Sequence, residues 1–455
     1  MIKGDTMNSL SRRSFLKITG SALGAVALAA CAAPAQPVAT ESGAAGPAAG
    51  PVEIRYLTTL TQPERLEGQE LLIQKFHDAN PNISVMFEQA SWGEAQTKLL
   101  AMVAANDAPD VSTAGTGWPV LFAAQEAVRA VDDVIEIMGG RDVFFATELA
   151  PDFYEGKQWA MPLYQTPDVM IYRTDYYEAA GVIVPDIATD YAFDWDQYLA
   201  AAESTTTDDY FGITEPVADL HGYKPIWGLM LTNGVTIFDE TGNLVFDTPE
   251  TVEVYQYVAD LYAAAAPPGM SSYQMGDSET AFRTGKAAAT ILNTGLIRTI
   301  ALNEPETLDV LGVTPVPVRK EPGSFKGMVK LMLYKTEGIE AANQFVQFFF
   351  KTENYVPFLL SYAELMLPST PEAAEAESYI NAPEFDPTRH LMGPAISTLA
   401  YAAGVAQKYG ASPYAGAIEG NLVIQNVLID IMTQGTPVEQ AVTKGEAAIR
   451  DIMEA

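Results

Sequence analysis

The stretch VEIRYLTTLTQPERLEGQELLIQKFHDANPNISVMFEQ, residues 52–89, decides the fold class. Apolar and polar side chains alternate in residues 52–57 and again in residues 83–87, and this alternation is typical of strands. Between them, residues 63–79 place apolar side chains at helical spacing. An Asn-Pro pair then ends the helix, because the residue before a proline disfavours helical geometry. The stretch therefore predicts a strand, a helix and a second strand.

The same pattern continues along the chain. Trp92, Leu99 and Met102 fall on one face of a second predicted helix, and an extended segment restarts at Val111. Alternating strands and helices favour a parallel sheet with helices packed on it. We therefore predict an α/β fold.

The first 30 residues have the make-up of an export signal. A basic segment with Arg12 and Arg13 precedes an apolar run of 13 residues, which is too short to cross a bilayer but suits a secretory signal. Residues 11–17, SRRSFLK, resemble the twin-arginine export signal. Residues 28–31, LAAC, resemble a bacterial lipobox, so we expect cleavage before Cys31 and attachment of lipid to that cysteine. The alternative for the cysteine is an ordinary small residue beside a cleavage site.

Residues 31–51 are expected to form a disordered linker behind the lipid. Ala, Pro and Gly fill 15 of the 20 positions from 32 to 51, so the segment has little apolar bulk to bury. Removal of residues 1–30 from a chain of 455 leaves 425 residues. This length exceeds what one core normally serves, so we expect two or more domains.

The composition narrows the class of partner. The net charge is −32, which disfavours nucleic acid because phosphate binding needs clustered Lys and Arg. Cys31 is the only cysteine of the sequence, which excludes disulfides within the exported domain. We expect a monomeric exported protein, held by its lipid on the outer face of the cell membrane or on the periplasmic side.

The sequence lacks the motifs of common catalytic and metal sites. His77, His221 and His390 are far apart and have no metal-ligand neighbours at short spacing. Neither Gly-x-Ser-x-Gly nor His-Glu-x-x-His occurs. We therefore expect no metal, no cofactor and no enzyme activity. A secreted glycoside hydrolase is the alternative, because a pair of carboxylates across a cleft leaves no sequence motif; a purely structural surface lipoprotein is a third candidate.

The aromatic residues favour a carbohydrate site. Sugars expose apolar C–H faces ringed by hydroxyls, so a site for them needs flat rings with Asp, Asn, Gln or Glu at the edges. The chain has five tryptophans and 21 tyrosines. Trp118 is the strongest candidate, because it follows a predicted strand and ligands of parallel sheets bind beyond the carboxyl ends of strands. Core packing is the alternative for each tryptophan.

Several short segments, taken in order, resemble one protein family. These segments are residues 104–111 (AANDAPDV), 161–164 (MPLY), 170–175 (MIYRTD), 180–182 (AGV), 238–242 (FDETG), 246–250 (FDTPE) and 281–288 (AFRTGKAA). With this order and spacing, the chain resembles the extracellular solute-binding proteins of bacterial ABC importers, in the sugar-binding group that includes maltose-binding protein. The resemblance extends from about residue 52 to the end of the chain.

The resemblance implies a two-lobed α/β fold of the Venus flytrap type, with a hinge of two or three crossovers. Lobe one would comprise residues 52–163 and 287–332, and lobe two would comprise residues 168–286 and 333–455. Residues 164–168 would form a crossover that faces the cleft between the lobes. The ligand would lie in that cleft.

The resemblance also implies delivery of a carbohydrate or related solute to the membrane subunits of an ABC permease. Many sugar-binding members have a tryptophan where this chain has Leu296, and an early aromatic residue where it has Thr58 and Thr59. The ligand is therefore left open among a sugar, an oligosaccharide, a polyol and another small polar solute. The expected ligand-binding residues are Trp118, Tyr164, Gln165, Asp168, Trp227, Asn293 and Phe325.

Overall fold

The computed structural model describes residues 51–187 and 191–455. The predicted export signal, Cys31 and the linker up to residue 50 lie outside the described residues. The strands are β1 (Val52–Thr58), β2 (Ile83–Gln89), β3 (Val111–Ala114), β4 (Phe153–Tyr154), β5 (Lys157–Gln158), β6 (Met161–Arg173), β7 (Phe211–Ile213), β8 (Ala287–Asn293), β9 (Leu311–Thr314), β10 (Ser324–Leu333) and β11 (Ala402–Ala403).

The α-helices alternate with the strands and make up most of the C-terminal part of the chain. They are α1 (Pro63–Ala79), α2 (Trp92–Ala104), α3 (Trp118–Ala124), α4 (Asp132–Met138), α5 (Ala146–Leu149), α6 (Thr174–Ala179), α7 (Trp195–Thr205), α8 (Tyr223–Thr232), α9 (Pro249–Ala265), α10 (Met275–Arg283), α11 (Gly295–Asn303), α12 (Ile339–Phe349), α13 (Thr352–Leu360), α14 (Pro371–Glu375), α15 (Glu377–Ile380), α16 (Arg389–Thr398), α17 (Ala415–Gly420), α18 (Val423–Gln434) and α19 (Val438–Glu454). Among the described residues, no helix has the length and apolar character needed to cross a bilayer.

The predicted order of strand, helix, strand, helix and strand from residue 52 onward is confirmed. β1 lies between β2 and β3 and is parallel to both. α1 begins at Pro63, whose fixed φ suits the first helical turn. It ends where the backbone N–H of Asn80 donates to the carbonyl of Phe76 at 2.8 Å. The ends of this helix are therefore set by the residues that predicted them.

The long strand β6 belongs to two sheets. Its residues 161–167 pair antiparallel with β10, and β10 pairs with β3, which gives a first sheet in the order β2-β1-β3-β10-β6. Its residues 168–173 pair with β8 and β9, and β7 pairs with β8, which gives a second sheet. The segment 164–168, predicted as a crossover, contains the point where β6 passes from one sheet to the other.

Each sheet is covered by apolar cores on both faces. In the first sheet, Tyr56 packs against Phe345 with ring centroids 5.5 Å apart, whereas Leu57 faces a separate core on the opposite side. In the second sheet, Val169 and Met170 face opposite cores in the same way. Successive side chains of a strand point to opposite faces of the sheet. Each sheet is therefore the middle layer between two apolar cores. We call the first sheet with its helices the first lobe, and the second sheet with its helices the second lobe.

Two segments lie in the lobe opposite to the expected one. α12 and α13 pack on the core around Tyr56 in the first lobe, whereas the expected bounds put residues 333–455 in lobe two. β10 ends in the first sheet at Leu333, and the short connection to α12 keeps that helix on the same sheet. β8 lies in the second sheet, although residues 287–332 were assigned to lobe one, because only residues 284–286 separate it from α10.

Candidate functional site

A cavity of about 320 Å³ lies between the two lobes. The first lobe contributes residues of α1, the start of α2, the loop before α3 and the middle of β6. The second lobe contributes residues of α8, α10, the start of α11 and α17. The volume falls within the roughly 300–1,000 Å³ of small-molecule sites. This cavity is the candidate functional site.

Two tryptophans of the first lobe meet at the cavity. The rings of Trp92 and Trp118 lie edge to face, with centroids 5.7 Å apart and planes at 65°. Both residues start helices that follow parallel strands, so they lie at the carboxyl ends of β2 and β3, where such sheets bind ligands. A Cβ at Gly115 would lie 3.2 Å from the Trp118 ring and 3.5 Å from Trp92. The missing side chain of Gly115 therefore allows both rings to approach this loop.

Arg65 is held in the wall of the cavity by contacts on two sides. Its Nη1 donates to the hydroxyl of Tyr164 at 2.8 Å, and its guanidinium carbon lies 5.2 Å from the ring centre of Tyr362. The hydroxyls of Tyr362 and Thr299 are 3.1 Å apart. The Nε of Arg65 has no hydrogen-bond partner among the described residues. A buried guanidinium with an unused donor can bind an oxygen of a ligand.

The second lobe places charged side chains on the opposite wall. The Nζ of Lys224 lies 5.3 Å from the ring centre of Phe325, where a cation is attracted to the ring. Burial raises the pKa of Glu419 to about 7, although the charges of Lys224 and Lys330 oppose this shift. Burial also raises the pKa of Glu279. This wall therefore offers a cation beside carboxyl groups that can donate as well as accept hydrogen bonds.

Asp168 lies close to this wall but does not line the cavity. Its side chain is 1% exposed, and neither carboxylate oxygen has a hydrogen-bond partner among the described residues. Burial raises its pKa to about 7, with the charge of Lys224 acting in the opposite direction. An unpartnered buried carboxylate is costly when ionised, which is why burial favours the protonated form of this residue.

Four of the seven predicted ligand-binding residues line the cavity. They are Trp118, Tyr164, Asn293 and Phe325. Gln165 does not line it, because its Nε2 donates to the carbonyl of Pro368 at 3.0 Å and its side chain is buried. Trp227 is 0% exposed in the core of the second lobe, with its indole N–H bonded to the carbonyl of Ala403 at 3.1 Å. The alternative of core packing therefore applies to Trp227.

Other cavity residues were missed by the sequence reasoning. Trp92 could have been found, since it follows a strand of the same sheet just as Trp118 does. Arg65, Lys224 and Glu419 carry no such signal, because nothing in their local sequence shows that three distant elements meet at one cavity. Their placement depends on how the lobes face each other.

The chemistry of the cavity suits a polar solute with apolar faces. It combines aromatic rings, hydroxyl and amide groups, two cations and two carboxyl groups. Within residues 51–187 and 191–455, no three His, Cys, Asp or Glu side chains are grouped in a way that could hold a metal ion. The groups on the cavity wall can bind and orient such a solute by stacking and hydrogen bonds.

The sequence profile of the family described as bacterial extracellular solute-binding protein matches residues 64–356. The chain belongs to this family. A bacterial extracellular solute-binding protein is a binding protein, and the family is not a family of enzymes. The predicted family and function class are thereby confirmed, and the match gives no support to the glycoside hydrolase alternative.

Relatives and solved structures agree with this membership. YcjN of Escherichia coli (strain K12), named as a candidate ABC transporter periplasmic-binding protein, is 23% identical over 326 residues, covering 70% of this chain and 73% of YcjN. An ABC transporter solute-binding protein from Thermotoga lettingae, solved with α-D-tagatose, superposes with a TM-score of 0.75 at 17% identity, covering 89% of this chain and 100% of that one.

A third similar protein is MalE3 of T. maritima, solved with bound maltose. It superposes with a TM-score of 0.73 at 19% identity, covering 88% of this chain and 100% of that one. At these identities the two structures show the fold of this solute-binding protein, and the predicted two-lobed α/β architecture is confirmed.

Proposed function

We propose that the interlobe cavity binds a saccharide or a related polyhydroxy solute, which the protein delivers to the permease subunits of an ABC importer. The observation that carries the proposal is the pairing of Trp92 and Trp118 on one wall with Lys224 and Glu419 on the other. Rings can pack against the apolar C–H faces of a sugar, while the charged groups bond its hydroxyls. The bound tagatose and maltose of the two similar structures support the same solute class.

The proposed mechanism is a shift between two arrangements of the lobes. A solute that touches both walls stabilises the arrangement in which the lobes are close together. β6 and β10 connect the lobes, so both can act as hinges. Solute and closed protein then form the unit that a permease recognises. Tyr164, Asn293 and Phe325 serve in this scheme as further wall residues.

A ligand screen tests the solute class. The purified protein is heated with D-tagatose, maltose, D-mannitol or arabinan oligosaccharides, and the unfolding temperature is compared with that of the empty protein. A solute at about 100 times its dissociation constant stabilises the folded state by about 2.7 kcal/mol. Absence of any shift over this panel would contradict the proposal. Release of reducing sugar during incubation would favour the hydrolase instead.

Residues 1–51 carry a second part of the proposal. The twin-arginine signal with Arg12 and Arg13 directs export, and the lipid on Cys31 anchors the protein, as the sequence motifs indicate. Cys31→Ser should move the protein from the membrane fraction to the soluble exported fraction, while Arg12→Lys with Arg13→Lys should keep it in the cytoplasm. A Cys31→Ser protein that stays with the membranes would contradict the anchor.

A further inference from the structure

The two lobes touch beside the cavity along a narrow contact that we call the glycine seam. It consists of Thr116 and Gly117 from the first lobe and Gly404, Gln407 and Gly416 from the second lobe. The Nε2 of Gln407 donates to the carbonyl of Thr116 at 3.4 Å. The closest approaches of the glycines across the seam are to backbone atoms and small groups.

The seam leaves no room for a side chain on either lobe. A Cβ at Gly117 would lie 2.4 Å from the backbone nitrogen of Gly416, and a Cβ at Gly416 would lie 2.7 Å from the carbonyl oxygen of Gly117. A Cβ at Gly404 would lie 2.5 Å from the methyl carbon of Thr116. Backbone atoms cannot rotate away as the end of a long side chain can, so even one added methyl group would push the lobes apart.

Backbone conformation gives no other reason for these glycines. Gly117 has φ −91° and ψ −3°, which any residue can adopt. Gly416 lies in α17, and neither Gly404 nor Gly416 has a positive φ. At Gly117 and Gly416, the missing side chain therefore serves the contact between the lobes.

The seam borders the candidate ligand site. Trp118 follows Gly117 and lines the cavity from the first lobe, while Glu419, three residues after Gly416, lines it from the second lobe. Gln96 of the first lobe also donates from Nε2 to the carbonyl of Gly416 at 3.4 Å. The lobes cannot separate at this edge of the cavity without breaking the seam.

We propose that the glycine seam is the contact on which the lobes close, so that the ligand-holding state requires Gly117 and Gly416 to lack side chains. This inference rests on the proposed function, since it assigns the seam to the closed state of the same cavity. A side chain at the seam lowers the fraction of closed protein. The apparent dissociation constant rises in inverse proportion to that fraction.

Gly416→Ala tests the seam, and Gly276→Ala is the matched control. Both glycines lie in helices of the second lobe, so both substitutions bring the same gain in helix propensity. Gly276 is exposed, and a Cβ there would meet nothing within 4 Å. Gly117→Ala introduces the same clash from the first lobe. Affinity for the saccharide that stabilises the natural protein most is measured by calorimetry, and unfolding temperatures are measured without saccharide.

We expect Gly416→Ala and Gly117→Ala to weaken saccharide binding at least about tenfold relative to Gly276→Ala. The empty variants should unfold at the temperature of the control, because the empty protein can hold its lobes apart. Unchanged affinity would overturn the inference while leaving the proposed function intact. A lower unfolding temperature of the empty variants would also overturn it, because the seam would then be a permanent part of the fold.

If no saccharide of the panel binds the natural protein, the proposed solute class fails. The unfolding temperatures of the empty variants then decide by themselves whether the seam forms only on closure. Equal temperatures support a seam that forms only on closure. Lowered temperatures contradict it.

Discussion

Asp168→Asn should remove a large part of the pH dependence of stability. Burial raises the pKa of Asp168 from 3.8 to about 7 in the folded protein, so the folded state holds this proton more tightly than the unfolded chain. The stability that goes with the bound proton is present at pH values below about 4. It is lost as the pH rises from about 4 to about 7, where the folded protein must also give up the proton.

The size of the effect follows from the two pKa values. At about 1.36 kcal/mol per pKa unit, a rise from 3.8 to about 7 corresponds to a loss of about 4 kcal/mol at pH 8. Between pH 5 and pH 8, the same linkage gives a loss of about 2–3 kcal/mol. Asparagine has nearly the same shape and does not titrate. Between pH 5 and pH 8, the variant should therefore lose about 2–3 kcal/mol less stability than the natural protein.

The assay is urea denaturation at pH 5 and at pH 8, with tryptophan fluorescence as the signal that monitors unfolding. Asp451→Asn serves as the control, because Asp451 is exposed on α19. Equal pH dependence in the natural protein and Asp168→Asn would refute the reasoning. A larger pH dependence in the variant would refute it as well.

Three further predictions concern stability and binding. Trp118→Ala should weaken saccharide binding, measured by calorimetry, by at least the roughly 0.5–1.5 kcal/mol of a well-placed ring. Trp159→Ala is the control, because Trp159 lies outside the cavity. Equal affinities of the two variants would remove Trp118 from the site. Lys330→Met should destabilise the fold by about 3–5 kcal/mol in urea denaturation, because it leaves the charge of Asp152 buried without its partner. In the natural protein the two buried groups lie 2.5 Å apart. A further change, Asp152→Leu, should restore most of the lost stability. Gly312→Ala should lower stability by about 1–3 kcal/mol, because its Cβ would meet the ring of Tyr172; an unchanged unfolding temperature would contradict this.

The fold class could be predicted because its signals are local. Alternation in residues 52–57 and helical spacing in residues 63–79 each depend on neighbours within a few positions. Proline at the start of α1 and the Asn-Pro pair after it mark the ends of that helix in the structure as well. The two-lobed architecture was predicted from the resemblance to the family.

The bounds of the lobes and many of the cavity residues could not be predicted from local sequence signals. α12 and α13 return to the first lobe because a short connection follows β10, and no composition signal marks that return. Trp118 was found from its place after a strand. Trp227 was misjudged because a tryptophan in a core and one at a ligand site have the same sequence pattern, and only the second lobe's packing buries it.

By itself, the sequence determined the α/β class, the family and one tryptophan of the cavity, because these depend on local spacing and short motifs. Only the tertiary structure decided that Arg65, Lys224 and Glu419 share one cavity, and that Gly117 meets Gly416. The reason is physical: these residues are far apart in the chain, and they meet only once the two separately packed lobes are brought together by the strands that connect them.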